Sequence, residues 1–263
     1  MKKKSIIVII LIIVLAVFAY GIYYVNDYYH ADDTANQYLN GTGNVTVIKQ
    51  DAGLLLDGPG NDTALIFYPG AKVEYTSYLP MLTHLSERGV DCYLVEMPFN
   101  LAFLGKDLAG DIMRDSNYEH YYLSGHSLGG AMAAEYANNS GNVSGLILFA
   151  AYSTKEIDKP VLSIYGSNDK VLNHETYNES RHLIDRNLTE IIIDGGNHAQ
   201  VGNYGIQPKD GKATITPDEQ QKKSIDAMVD FINKLSKNGR LRYPACTLTV
   251  LVFQFCILPN WLE

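Results

Sequence analysis

Gly125-His126-Ser127-Leu128-Gly129-Gly130 is the stretch on which the reading of this chain turns. The residues before it, 120–123, read as a strand, and those after it, 128–138, as a helix. A strand that turns directly into a helix through Gly-x-Ser-x-Gly is tight and strained. Small residues must flank the serine, and its hydroxyl then projects from the edge of the sheet. So short a pattern also arises by chance, and the strand and helix on either side are what give this one weight.

Working outward, short β-branched or aromatic runs alternate with helical segments. Strands are expected at 45–49, 54–56, 63–68, 91–97, 120–123, 143–149, 160–165 and 189–194, with the first two as an antiparallel edge. Helices are expected at 78–88, 106–114, 128–138, 174–184 and 217–237. The alternation predicts an α/β domain with a mostly parallel sheet of about eight strands and helices on both faces. Pro217, Asp218 and Glu219 form a helix start, and Ile225, Met228, Val229, Phe231, Ile232 and Leu235 supply a stripe to pack on the sheet. The domain should therefore occupy 44–238. The connection 150–159, where a cap would enter, is too short to hold a lid domain, so the mouth of the site should be open.

A serine hydroxyl is a poor nucleophile at neutral pH. An imidazole must take its proton, and a carboxylate must hold that imidazole in the right tautomer. Of the seven histidines, His174, His182 and His198 follow Ser127. The first two fall in an expected helix among polar neighbours and read as surface residues. His198 lies in the loop Gly195-Gly196-Asn197-His198-Ala199-Gln200, whose glycines let the backbone carry a ring back over the sheet, and it is the candidate base. Asp169, just past the strand at 160–165, is the candidate acid, because catalytic groups gather at the carboxyl ends of parallel strands. Asp194 is its rival, although a strand-end or turn residue is the simpler reading of it.

A tetrahedral intermediate needs two preorganised N–H donors, and the backbone of Leu128 and Ala71 would provide them. Phe67-Tyr68-Pro69-Gly70 makes the sharp turn that aims Ala71 inward. Lys72 and Glu74 are candidates for substrate contact, with a solvated surface pair as the competing reading. Phe99, Leu101 and Phe103 are candidates for an apolar acyl pocket, with core packing as the competing reading.

Met1-Lys2-Lys3-Lys4 and the apolar run from Ile6 to Val25 have the charge and length of a spanning helix with its N-terminus in the cytoplasm. Tyr20, Tyr23, Tyr24, Tyr28 and Tyr29 would lie at the far interface. Residues 1–25 thus read as a signal anchor, 26–43 as a stalk that lifts the domain off the bilayer, and the domain as extracytoplasmic. A signal peptide cleaved after Ala19, with secretion, is the alternative. The formal charge of −8 argues against nucleic acid as a partner. Cys92, Cys246 and Cys256 form neither a disulfide framework nor a metal-ligand spacing, so no metal is expected. The apolar tail 239–263 is too short to span a bilayer comfortably, and no role is assigned to it.

From Thr63 to Leu235 the chain resembles the α/β-hydrolase superfamily, in its small capless branch of dienelactone hydrolases and simple esterases. Phe-Tyr-Pro-Gly ending at Gly70, Gly-His-Ser-Leu-Gly-Gly at 125–130, Gly-Ser-Asn-Asp at 166–169 and Gly-Gly-Asn-His at 195–198 carry the resemblance. Met97-Pro98-Phe99-Asn100-Leu101-Ala102 and His198-Ala199-Gln200 also look like a group of membrane-anchored bacterial members. Many members carry His-Gly where this chain has Pro69-Gly70, which leaves the second oxyanion donor open. The resemblance implies a cofactor-free serine hydrolase of carboxylic esters (EC 3.1.1) acting on a small-molecule substrate. An acyltransferase or peptidase with the same triad, and a noncatalytic binding protein of the same fold, are the alternatives.

Overall fold

Thr63–Tyr68 is buried along its whole length, and Val143–Phe149 almost so. Strands with no exposed side must lie inside a sheet covered on both faces. The computed structural model describes residues 3–184 and 188–242 and places these two strands near the middle of such a sheet. Its strands are β1 (Thr46–Gln50), β2 (Gly53–Asp57), β3 (Thr63–Tyr68), β4 (Asp91–Val95), β5 (His120–His126), β6 (Val143–Phe149), β7 (Val161–Gly166) and β8 (Leu188–Ile193). The order is β1-β2-β4-β3-β5-β6-β7-β8. β1 and β2 form the antiparallel edge expected, β2 also pairs antiparallel with β4, and every other pairing is parallel.

Helices α1 (Lys3–Asn26), α2 (Asp33–Asn36), α3 (Leu79–Ser86), α4 (Leu108–Asp115), α5 (Leu128–Asn139), α6 (His174–Ser180) and α7 (Pro217–Arg242) complete the chain. Because side chains alternate along a strand, β3 sends Leu65 and Phe67 to one face and Ala64, Ile66 and Tyr68 to the other. The first set packs with Leu82 of α3 and Met228 of α7. The second packs with Ile112 of α4 and Ala133 of α5. Thr216 and Glu219 start α7 as a reciprocal cap: Glu219 N–H donates to Thr216 Oγ1 (3.2 Å) and Thr216 N–H to Glu219 Oε2 (2.8 Å). No cap domain is inserted between β6 and β7.

Several boundaries differ from expectation. β5 runs on to His126, because Gly125 and His126 still pair with Leu148 and Phe149 of β6. α6 closes at Ser180 into a 3₁₀ turn, Arg181–Leu183. α7 continues past 238 to Arg242. The remainder of the expected tail, 243–263, with Cys246 and Cys256, lies outside the described residues. The stretch 26–43 is not a free tether. Tyr29 bridges to Val73, Asp32 caps α2 by accepting from Ala35 N–H (2.9 Å), and Ala35 is fully buried. Its Asn, Asp and Thr content reads as linker, but Asp32 caps α2, Asp27 pairs with Lys72 and Thr42 Oγ1 donates to Glu87 Oε1 (2.9 Å).

Candidate active site

β5 ends at His126 and α5 begins at Leu128, so Ser127 alone makes the turn, at φ 53° and ψ −121°. A non-glycine residue holds such a conformation only where its surroundings over-determine it. Here Ser127 N–H donates to Phe149 O (2.9 Å) and Ser127 O accepts from Ala131 N–H (3.1 Å). The flanking glycines are steric requirements. A Cβ on Gly125 would stand 2.5 Å from the Gly129 carbonyl carbon, and one on Gly129 would stand 2.2 Å from Tyr68 O. That second approach seats the start of α5 on the end of β3.

Asp169 follows β7 and His198 follows β8, at the same carboxyl edge of the sheet as Ser127. Asp169 Oδ1 accepts from the N–H groups of Val171 (2.9 Å) and Leu172 (2.8 Å), which leaves Oδ2 to bond His198 Nδ1 at 2.8 Å. The two side chains are only 0% and 2% exposed. A carboxylate oxygen accepts, so His198 Nδ1 is suited to donate to it, which leaves Nε2 for a further partner. Asp194 is exposed and accepts from Ser167 Oγ (3.3 Å) instead. His174 is spent on the Asp169 carbonyl oxygen (2.9 Å), and His182 is exposed. The His198 loop is braced on both sides of the ring. Asn197 exchanges two hydrogen bonds with Gln220 of α7 (2.9 and 2.8 Å), and Ala199 N–H donates to Asp210 Oδ2 (2.9 Å). The His198 ring packs, tilted by 47°, with its centroid 4.5 Å from that of His126, the residue before Ser127.

Around Ala71 the neighbouring donors are committed: Gly70 N–H to Tyr78 Oη (3.0 Å) and Lys72 N–H to Asn100 O (2.8 Å). Ala71 N–H between them has no acceptor among the described residues. Leu128 N–H, at the first position of α5, is left over in the same way, since the first bond of that helix is donated by Ala131.

Phe99 and Phe103 stand exposed at the rim, so core packing is not their role, and Leu101 is half-buried. Lys72 does not pair with Glu74. Its Nζ bonds Asp27 Oδ2 (2.8 Å) and lies over the Tyr24 ring (4.5 Å). Glu74 accepts from Ala31 N–H (3.1 Å) and Thr76 Oγ1 (3.0 Å). Among the described residues, no group of His, Cys, Asp and Glu is gathered as a metal site requires.

The sequence reading missed Tyr78 and the structural part played by His126, both buried. Tyr78 Oη accepts from Gly70 N–H (3.0 Å) and is hydrogen-bonded to His126 Nδ1 (2.9 Å). Burial, and then the nearby His198, hold the His126 imidazole well below its ordinary value of 6.5, so the ring is neutral. His126 occupies the variable position of the Gly-x-Ser-x-Gly pattern, and Tyr78 is one of 19 tyrosines. Neither carries a local signal of its role.

A model of the "Alpha/beta hydrolase family" matches residues 64–222, which contain Ser127, Asp169 and His198. The chain belongs to the α/β-hydrolase family. As α/β hydrolases go, it is similar in fold to a CIB-like hydrolase from Thermoplasma acidophilum (15% identity, TM-score 0.56, covering 71% of this chain and 99% of that one). It is also similar to P91, a dienelactone hydrolase-like promiscuous phosphotriesterase from metagenomic libraries (16%, TM-score 0.54, 73% and 99%). A third similar α/β hydrolase is mouse alpha/beta hydrolase domain-containing protein 10 (14%, TM-score 0.55, 73% and 99%). At these identities the likeness is one of fold. No curated protein matches the sequence significantly.

Proposed function

We propose that this α/β hydrolase is a serine esterase that cleaves carboxylic esters through an acyl-enzyme on Ser127. The observation that carries the reading is the buried Asp169–His198 pair, fixed by two backbone donors and packed against His126, the residue before the strained Ser127. In the proposed cycle Ser127 Oγ attacks the carbonyl carbon while His198 Nε2 takes its proton. The bond to the leaving alcohol breaks as His198 returns that proton to the alkoxide, and water repeats the sequence to free the acid. Asp169 holds the ring in the Nδ1–H tautomer and stabilises the transient imidazolium. The free N–H groups of Ala71 and Leu128 are suited to hold the oxyanion. Lys72 is committed to the N-terminal segment and drops out as a substrate contact, while Phe99, Leu101 and Phe103 remain available at the mouth.

α1 contains a 21-residue apolar span, Ile6–Asn26, none of whose apolar window is buried in the protein. It fits the proposed uncleaved anchor, with the lysines inside and the hydrolase domain outside the membrane. The test of function is turnover of 4-nitrophenyl esters of graded chain length. Wild type should hydrolyse at least the acetate, Ser127→Ala should lose that activity, and Asp169→Asn should fall by about 10⁴-fold in kcat. A folded wild type that turns over no ester would refute the esterase and leave a binding role for the fold.

A further inference from the structure

The N-terminal helix is joined to the rim of the site without slack. Asp27 N–H still bonds Tyr23 O (3.0 Å), extending the last turn of α1. Two residues on, Tyr29 N–H donates to Lys72 O (2.7 Å), and Glu74 N–H to Tyr29 O (2.8 Å). Lys72, next to the oxyanion candidate Ala71, reaches back to Asp27 and over Tyr24, which lies in the span itself. On the other side, Asp32 N–H donates to Asn203 O (2.9 Å), and the Tyr29 ring packs at a tilt 5.5 Å from that of Tyr204. The end of the span is thus fastened to the loop after β3 and to the loop after His198, and α1 lies alongside residues 98–100.

The same rim carries apolar side chains turned to the outside. Phe99 (62% exposed), Phe103 (52%) and Leu104 (49%) lie on the loop after β4, and Ile206 (93%) on the loop after His198. Among the described residues outside α1, the other exposed large apolar side chains are Leu39, Ile48 and Ile192. Phe99 and Asn100 hold left-handed backbone, at φ 54° and 56°, and Asn100 O is pinned by Lys72 N–H. A bulky ring in that conformation and in water costs on both counts unless something apolar meets it. A span of 21 residues is about 31 Å long, enough to cross the hydrocarbon core, so its last turn lies at the interface. A rim bonded to that turn lies there too.

We infer that the mouth of this site faces the bilayer and that its substrate is an acyl ester of a lipid resident in that membrane. The inference rests on the serine-esterase reading and on an uncleaved α1. Phe99, Phe103, Leu104 and Ile206 enter the acyl-chain boundary, as the apolar face of an interfacial segment does, and a lipid ester reaches Ser127 without crossing water. Where a linker would hold the domain above the surface, the bonds of residues 27–32 hold its mouth against it.

The experiment uses full-length protein in phosphatidylcholine vesicles. It compares hydrolysis of a fluorogenic phosphatidylcholine in the bilayer with hydrolysis of 4-nitrophenyl acetate in water. Two variants avoid the catalytic groups: Leu104→Ser with Ile206→Ser, and a 20-residue Gly/Ser insertion between Asn26 and Asp27, which frees the rim from the span. Each should lower the rate on the vesicle ester about tenfold or more while leaving the acetate rate unchanged. Undiminished vesicle hydrolysis by both variants overturns the inference. So does a wild type that cleaves the acetate and spares the lipid, and in that case the esterase reading stands. If wild type cleaves neither ester and Ser127 resists a fluorophosphonate, the esterase reading has failed and the inference falls with it.

Discussion

Tyr78 shows how much of the site rests on groups that never meet the substrate. Its hydroxyl joins Gly70 N–H, from the loop after β3, to His126 Nδ1 on the elbow by two hydrogen bonds in a fully buried position. Tyr78→Phe keeps the ring and strands both partners, so it should cost about 1–3 kcal/mol in urea unfolding. A loss below 0.5 kcal/mol would contradict that role. His126 predicts a pH dependence. Its imidazole is held well below 6.5 when folded, so the unfolded chain binds a proton that the native one refuses. The unfolded state binds more protons below pH 6.5, and stability therefore rises with pH up to that value and is lost as pH falls beneath it. The slope should approach about 1.4 kcal/mol per pH unit. Urea midpoints of Ser127→Ala between pH 7.5 and 5 would measure it, and His126→Gln should flatten it.

At the scale of elements, sequence and tertiary packing make the same demand at the turn between β5 and α5. Gly129 is fixed by the approach of α5 to β3, since an added Cβ would meet both Tyr68 O and Pro69 O within 2.3 Å. Gly129→Ala should therefore shift the start of α5, lower the urea midpoint and abolish ester turnover together; an unchanged midpoint would show that the helix yields freely. The elements themselves were legible because a strand covered on both faces must be apolar throughout. β3 and β6 were readable to the residue on that ground. β5 was read three residues short because its end, Ser124-Gly125-His126, is polar and is held by partners that only the fold supplies. The geometry around His198 was legible in part. Its glycine loop is visible in the sequence, whereas the Gln220 and Asp210 contacts that brace it come from distant segments with no local pattern. Tyr78 was silent for the same reason.

On the scale of the whole molecule, the folded unit begins at the end of α1 rather than at residue 44. Tyr29, Asp32 and Ala35 belong to it by bridge, cap and burial. Removing residues 1–26 should leave a soluble, folded hydrolase, and removing 1–43 should lower its stability further by about 2 kcal/mol or more. Equal urea midpoints for the two truncations would return residues 27–43 to the status of a tether. Three distant residues, 127, 169 and 198, follow β5, β7 and β8 at one edge of the sheet, and the proposal that they act as one triad is the central claim. The most direct measurement is intact-mass spectrometry after treatment with a fluorophosphonate. The account predicts one covalent adduct per chain, mapped to Ser127, absent in Ser127→Ala and formed far more slowly in His198→Ala. A folded wild type that takes up no adduct, or a Ser127→Ala variant labelled as fast as wild type, would contradict it.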